Sequence, residues 1–196
     1  MNETTYKVGA AYPDDVLQDI AHELVVLHTF TTSPLAVGLD PRPSAQLWTE
    51  VEYFLLYIAE CAIRASGRLH PSSQSRLTHL LIEEWIASNK SIPNPSSGTV
   101  ARTVVSLVIK TGIDEKLRRD RYGKFRTAWD EFLESPYRKI ELKESDNLNA
   151  LTGRFLGTNI RGASGQVWTF TEFESAGTQI FDYYNNAMRC IWNRAY

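Results

Sequence analysis

Cysteine is nearly absent from this chain: Cys61 and Cys190 are the only two in 196 residues. Two thiols cannot build a disulfide framework or a cysteine-based zinc site, so a reducing compartment is expected. The opening Met1-Asn-Glu-Thr-Thr-Tyr-Lys7 has no basic stretch followed by an apolar run, so no signal peptide is expected. The longest stretch without Lys, Arg, Asp or Glu, Leu24 to Leu39, contains Pro34 and four serines or threonines. It is too short and too broken to span a bilayer. These absences together predict a cytoplasmic protein with no membrane partner.

Sequence motifs of the common enzymes are missing too. There is no Gly-x-Ser-x-Gly, no Gly-x-x-x-x-Gly-Lys-Ser/Thr and no Gly-x-Gly-x-x-Gly. His22 and His28 sit six residues apart, whereas a zinc-protease helix needs its histidines at i and i+4. No metal and no cofactor is expected. Internal repeats and low-complexity tracts are lacking as well, which excludes solenoids and disordered arrays.

What is present is helical periodicity. Val16, Ile20, Leu24 and Leu27 share a stripe in a helix expected over 13–31, and a proline-rich loop is expected over 33–43. Ser44 is placed to cap a long helix stopping near Gly67, and a third helix is expected over 73–89. Ser91-Ile-Pro-Asn-Pro-Ser-Ser-Gly98 reads as a surface connector. It leaves the chain as one compact domain, 1–196, with a subdomain boundary conceivable at 91–98 between a helical 13–90 and a 99–196 half. Val100, Val104, Leu107 and Val108 follow helical spacing, and Phe125, Trp129, Phe132 and Leu133 define an amphipathic segment. A short helix over 147–156, a glycine-rich loop and an alternating Gln166-Val-Trp-Thr-Phe-Thr-Glu-Phe173 come next, before a closing helix over 176–194. The expected fold is mainly α, a bundle of about six helices with one short β-hairpin or strand near 160–174.

Charge is distributed unevenly. Residues 1–100 hold 6 Lys/Arg against 11 Asp/Glu, and residues 101–196 hold 15 against 12. The basic excess gathers in Lys116-Leu-Arg-Arg-Asp-Arg-Tyr-Gly-Lys-Phe-Arg126, where cations and rings supply what a phosphate-binding surface requires. On a continuous helix these cations scatter, and only Arg119, Tyr122 and Arg126 share a side. Glu115 and Asp130 stand four residues from Arg119 and Arg126 and offer local pairs. Candidate nucleic-acid-binding residues are therefore Arg119, Tyr122 and Arg126, with Lys116 and Lys124 beside them.

Two glutamates interrupt apolar faces. Glu52 projects among Trp48, Leu56, Ala59 and Ile63, and Glu84 projects between Leu77 and Leu80. If an antiparallel hairpin brought them together, their repulsion and lost solvation would raise at least one pKa. An acid/base pair or a carboxylate site for a divalent metal would result. Further along, Arg64-Ala-Ser-Gly-Arg-Leu-His70 resembles the arginine-x5-histidine spacing of HEPN ribonucleases over seven residues. That resemblance implies Arg64 and His70 as a ribonuclease pair. The segment departs from the family at Ala65, where a polar residue is usual, and Gly67 and Pro71 put it in a loop instead of on a helix.

Five Trp, nine Tyr and eight Phe accompany the arginines, and these are residues that interfaces favour. The expected function is a non-enzymatic helical interaction subunit that docks on a protein partner, within a nucleic-acid-containing assembly if the basic block binds phosphate. The alternatives are an enzyme using Glu52 and Glu84, and the HEPN-like ribonuclease.

Overall fold

A computed structural model describes residues 11–88, 115–134, 144–160 and 169–194. They form six α-helices: α1 (Asp14–Leu39), α2 (Ala45–Ala65), α3 (Pro71–Ser88), α4 (Glu115–Glu134), α5 (Glu144–Arg154) and α6 (Phe170–Arg194). A π-helical turn, Phe155–Ile160, continues α5. No strand occurs among the described residues. The connector 91–98 and the apolar residues Val100, Val104, Leu107 and Val108 lie outside them.

The mainly α fold is as expected, and the β element is not. Residues 170–173 of the alternating segment are the first turn of α6 instead. A local hydrogen-bond exchange decides it. The Glu172 carboxylate accepts from the Thr169 backbone N–H and hydroxyl, both at 2.8 Å, while the Thr169 hydroxyl accepts from the Glu172 N–H at 3.3 Å. This reciprocal capping satisfies donors that would otherwise be orphaned at the helix start. Capping chemistry outweighs the strand propensity of Thr and Phe.

The expected loop over 33–43 is the second correction. α1 continues through Pro34 to Leu39. A proline inside a helix removes one N–H and normally costs about 3 kcal/mol. Here the surrounding residues Leu35, Ala36 and Leu39 are buried, and helical geometry is what buries them. Just before the proline, Thr29, Thr31 and Thr32 turn their hydroxyls back onto the carbonyls of Val25, Leu27 and His28 at 2.8–2.9 Å. Their polar groups are thereby satisfied within the helix.

α2 is the central element, with 13 of its 21 residues buried. Ser44 caps it by accepting from the Leu47 N–H at 3.1 Å. Its end is followed by Gly67 at φ 37°, a left-handed conformation that suits glycine. α1 packs on α3, α6 and α2, and α2 also meets α6, the π turn, α3 and α4. Leu24, Phe54, Ile58, Leu81, Phe155 and Ile180, drawn from five of these elements, are fully buried in one continuous apolar cluster. Residues from both sides of the 91–98 connector contribute to it.

Candidate functional site

The basic block lies on α4, and its chemistry is decided by what faces it. Along α4, Arg118, Tyr122, Phe125, Trp129 and the flanking Arg119, Arg126 and Asp130 recur at helical spacing and turn toward α2 and α3. Only Tyr122 and Trp129 are fully buried on this helix. The Tyr53 ring on α2 lies 5.7 Å from both Tyr122 and Phe125, and 5.8 Å from Trp85 of α3. These near-perpendicular contacts are the favoured edge-to-face geometry of aromatic rings. Further along, Trp129 stands 5.2 Å from Phe54, which stacks on Phe155 at 3.9 Å.

Around the rings runs a chain of charge-assisted hydrogen bonds. Tyr122 donates to Glu60 Oε1 at 2.6 Å, and Arg126 Nε stands 3.3 Å from Glu60 Oε2. Asp130 Oδ1 accepts from Tyr57 at 2.8 Å and from Arg64 at 2.9 Å, while its Oδ2 lies 3.7 Å from Arg126. Arg118 reaches Glu52 at 2.8 Å and lies over the Trp85 ring at 4.5 Å. Arg119 bonds both carboxylate oxygens of Glu83, at 2.6 and 3.2 Å, and stands 3.5 Å from Glu115. The local pairs expected from spacing, Arg119–Glu115 and Arg126–Asp130, are both formed.

Three of the five phosphate-binding candidates are thus directed into the protein. Tyr122 is buried and cannot stack on a base. Arg119 and Arg126 are committed to carboxylates, which compete with any phosphate. Lys116 and Lys124 are exposed on the other side of α4, and Arg121 is exposed at the edge of the seam.

Glu60 is a site residue that the sequence analysis did not single out, and its exposure is 1%. Burial pushes its carboxyl pKa upward, against the pull of the Tyr122 hydrogen bond and Arg126. Burial raises the Tyr122 hydroxyl well above its usual range, and the neighbouring Glu60 charge adds to that. At Asp130 burial also opposes ionisation, but the bonds from Arg64 and Tyr57 outweigh it and the pKa is lowered. The signal available was spacing: Tyr57, Glu60 and Arg64 lie at i, i+3 and i+7, the face that meets α4. Beside them Cys61 is pushed up to about 11 by desolvation, so it stays a thiol at neutral pH.

The two proposed carboxylates do not point at one another. Glu52 accepts from Trp85 Nε1 at 2.9 Å and from Arg118, toward α3 and α4. Glu84 reaches His22 of α1 at 2.9 Å. Their partners lie on different helices, α4 for one and α1 for the other, because neighbouring positions 84 and 85 of α3 face different sides. Arg64 and His70 are likewise engaged separately. Arg64 lies over the Tyr57 ring at 5.3 Å and holds Asp130, while His70 Nδ1 meets the Ser72 hydroxyl at 2.7 Å at the start of α3. Among the described residues no group of three or more His, Cys, Asp or Glu side chains is placed to hold a metal ion.

The outer face of α1 shows a feature that the sequence reading passed over. Phe30 is 75% exposed, and Val26 and Val37 are 40% and 45% exposed. Steps of four and seven residues put all three on one stripe, directly opposite the buried Leu17, Ile20, Leu24, His28 and Leu35. Once α1 is taken past residue 31, the two opposed apolar stripes are readable in the sequence. No described helix is long and apolar enough to cross a membrane. Compared with protein-family models, curated proteins and solved structures, the chain matches none.

Proposed function

We propose that this chain is a non-enzymatic helical interaction protein, and that it docks on a partner protein through the outer face of α1. The observation that carries this reading is the exposed Val26, Phe30 and Val37 stripe. Scattered apolar residues are ordinary on a protein surface, but three aligned along one helix provide the knobs of a helix-packing ridge. The arginines of α4 support it indirectly. They fasten α4 to α2 and α3, so the densest charge in the chain serves the fold. A nucleic-acid component of the assembly would have to rely on Lys116 and Lys124, on the far side of α4, with Arg121 at its edge.

A photo-crosslinking amino acid placed at position 30 of the full chain tests the reading in extracts of the cells that make it. A discrete protein adduct is expected at 30, absent when the crosslinker is at 124 and lost when Val26→Asp is added. Equal adducts at 30 and 124, or none at 30, defeat it.

A further inference from the structure

α4 is joined to the bundle differently from the other long helices. α1 packs on α2, α3 and α6, and α2 packs on α6, so these four enclose an apolar core among themselves. α4 makes its closest backbone approach to α2. Its fully buried residues are Tyr122 and Trp129, with Phe125, Phe132 and Leu133 partly covered. The seam is otherwise held by charge: Arg118 on Glu52, Arg119 on Glu83 and Arg126 on Glu60. Such pairs resist losing one partner far more than losing both together. A single substitution strands a buried group, whereas departure of the whole helix returns every partner to water. Water already reaches the half-exposed Arg119 and Glu83, and the buried Glu60 regains on release the solvation that docking denies it. Attraction across the seam is thus offset by hydration, and the net hold on α4 falls largely to its rings.

We propose that α4 is a releasable latch: it leaves α2 and α3 as a unit while the core of α1, α2, α3 and α6 stays folded, and it uncovers a cradle for an arginine-rich, aromatic helix of a partner protein. This second surface is independent of the outer face of α1. The cradle sets the carboxylates of Glu52, Glu60 and Glu83 among the rings of Tyr53, Tyr57 and Trp85. α4 is itself the pattern for the occupant. Its arginines meet those carboxylates, and Tyr122 and Trp129 stand 5.7–6.1 Å from those rings. The acids need not be otherwise free. Glu52 also accepts from Trp85 and Glu83 also stands 3.9 Å from His79, yet each receives a guanidinium. Nucleic acid and anionic lipid would face three carboxylates and be repelled.

Hydrogen exchange on the full chain reads the release directly. Protection of the α4 amides is expected to be at least about tenfold below that of α2, with a weaker dependence on denaturant, as local opening requires. Equal protection and equal denaturant slopes in the two helices overturn the latch. Tyr122→Ala combined with Trp129→Ala removes both buried rings and should abolish protection in α4 while α2 keeps its own. Protection lost in both helices would likewise overturn the latch. A fluorescent peptide with the sequence of residues 115–134 should bind this variant at least about tenfold more tightly than the wild-type chain, where the resident helix competes. Its affinity should fall between about 50 and 300 mM salt. A peptide carrying Arg118→Glu, Arg119→Glu and Arg126→Glu should not bind. Equal binding of the two peptides, or no binding of either to the variant, overturns the occupant and leaves the latch to the exchange data. A wild-type dimer in sedimentation, dispersed by the double substitution, would replace the partner protein with the α4 of a second copy.

Discussion

α2 and α4 are nearly equal in length, 21 and 20 residues, and they are held by different physics. α2 is buried on most of its circumference and is fixed by apolar area removed from water. α4 presents two fully buried residues, Tyr122 and Trp129, and is fixed by aromatic edges and by carboxylates of α2 and α3 that receive its arginines. Apolar burial is indifferent to direction, so it tolerates many arrangements. A hydrogen-bonded charge pair is demanding, because either partner left alone in a dry site is destabilising. The consequence is that the α4 seam specifies one docking register more sharply than it adds stability.

The largest expected effect belongs to the apolar side of this comparison. Phe54 is fully buried, stacked on Phe155 and adjacent to Trp129. Phe54→Ala removes the ring and leaves a cavity, at a cost of about 3–5 kcal/mol by chemical denaturation. A loss below about 1 kcal/mol would mean the centre of the bundle is loosely packed. In the seam, Tyr122→Phe keeps the ring and deletes only the donor to Glu60, 2.6 Å away. An expected loss of about 1–3 kcal/mol reflects a buried carboxylate left with one fewer partner. Were the two substitutions to cost the same, the distinction between the helices would collapse.

Proton linkage separates the regions by sign. His28, on the apolar side, donates from Nε2 to the Glu52 carbonyl at 2.9 Å and is buried. Desolvation lowers its pKa from 6.5, with the nearby Glu52 pulling the other way. The unfolded chain therefore takes up this proton first as pH drops, and the His28 contribution is lost below about 6.5. Glu60 behaves oppositely. Its folded pKa is raised above 4.5 by burial, so its contribution is complete below 4.5 and declines as pH rises through the folded value. Each slope is at most about 1.4 kcal/mol per pH unit. Denaturant midpoints measured from pH 4 to 8 should therefore lose their acid-side fall in His28→Gln, and their fall above the ordinary glutamate range in Glu60→Gln. Unchanged profiles in both variants would place these groups in water.

The same contrast explains what the sequence disclosed. α2, with Ser44 before it and Gly67 after it, was legible because its apolar spacing and end signals agree. The start of α6 was not, since Trp168 and Phe170 alternate with Thr169 and Thr171 like a strand, and Thr169 with Glu172 had to be recognised as a cap. α1 was cut short at Pro34 because local propensity cannot see that Leu35, Ala36 and Leu39 are buried by continuing the helix. For the site, spacing found that Arg119, Tyr122 and Arg126 share a side and that Glu115 and Asp130 are within reach. It could not show that this side faces Glu60 and Glu83, since which helix lies opposite is a tertiary fact. Thr169→Ala, which removes the capping hydroxyl, should cost about 1 kcal/mol and lower the melting temperature by about 2–4 °C.

The smallest effect is expected where the geometry looks best. Arg76 reaches Asp14 at 2.7 Å through one nitrogen and at 3.2 and 3.3 Å through another, joining α3 to α1 across 62 residues of sequence. Its bonds are as short as those of Arg118 to Glu52 or Arg126 to Glu60. The difference is solvent. The Asp14 and Arg76 side chains are 66% and 43% exposed, whereas Glu60 is at 1%. Water and salt screen the exposed pair, and ordering two long side chains opposes what attraction remains. Arg76→Ala should leave the melting temperature within the reproducibility of the measurement at 150 mM salt, while Tyr122→Phe moves it by several degrees. A clear loss in Arg76→Ala that vanishes at 1 M salt would show that exposed charge pairs, and not only the α4 seam, hold this bundle in register.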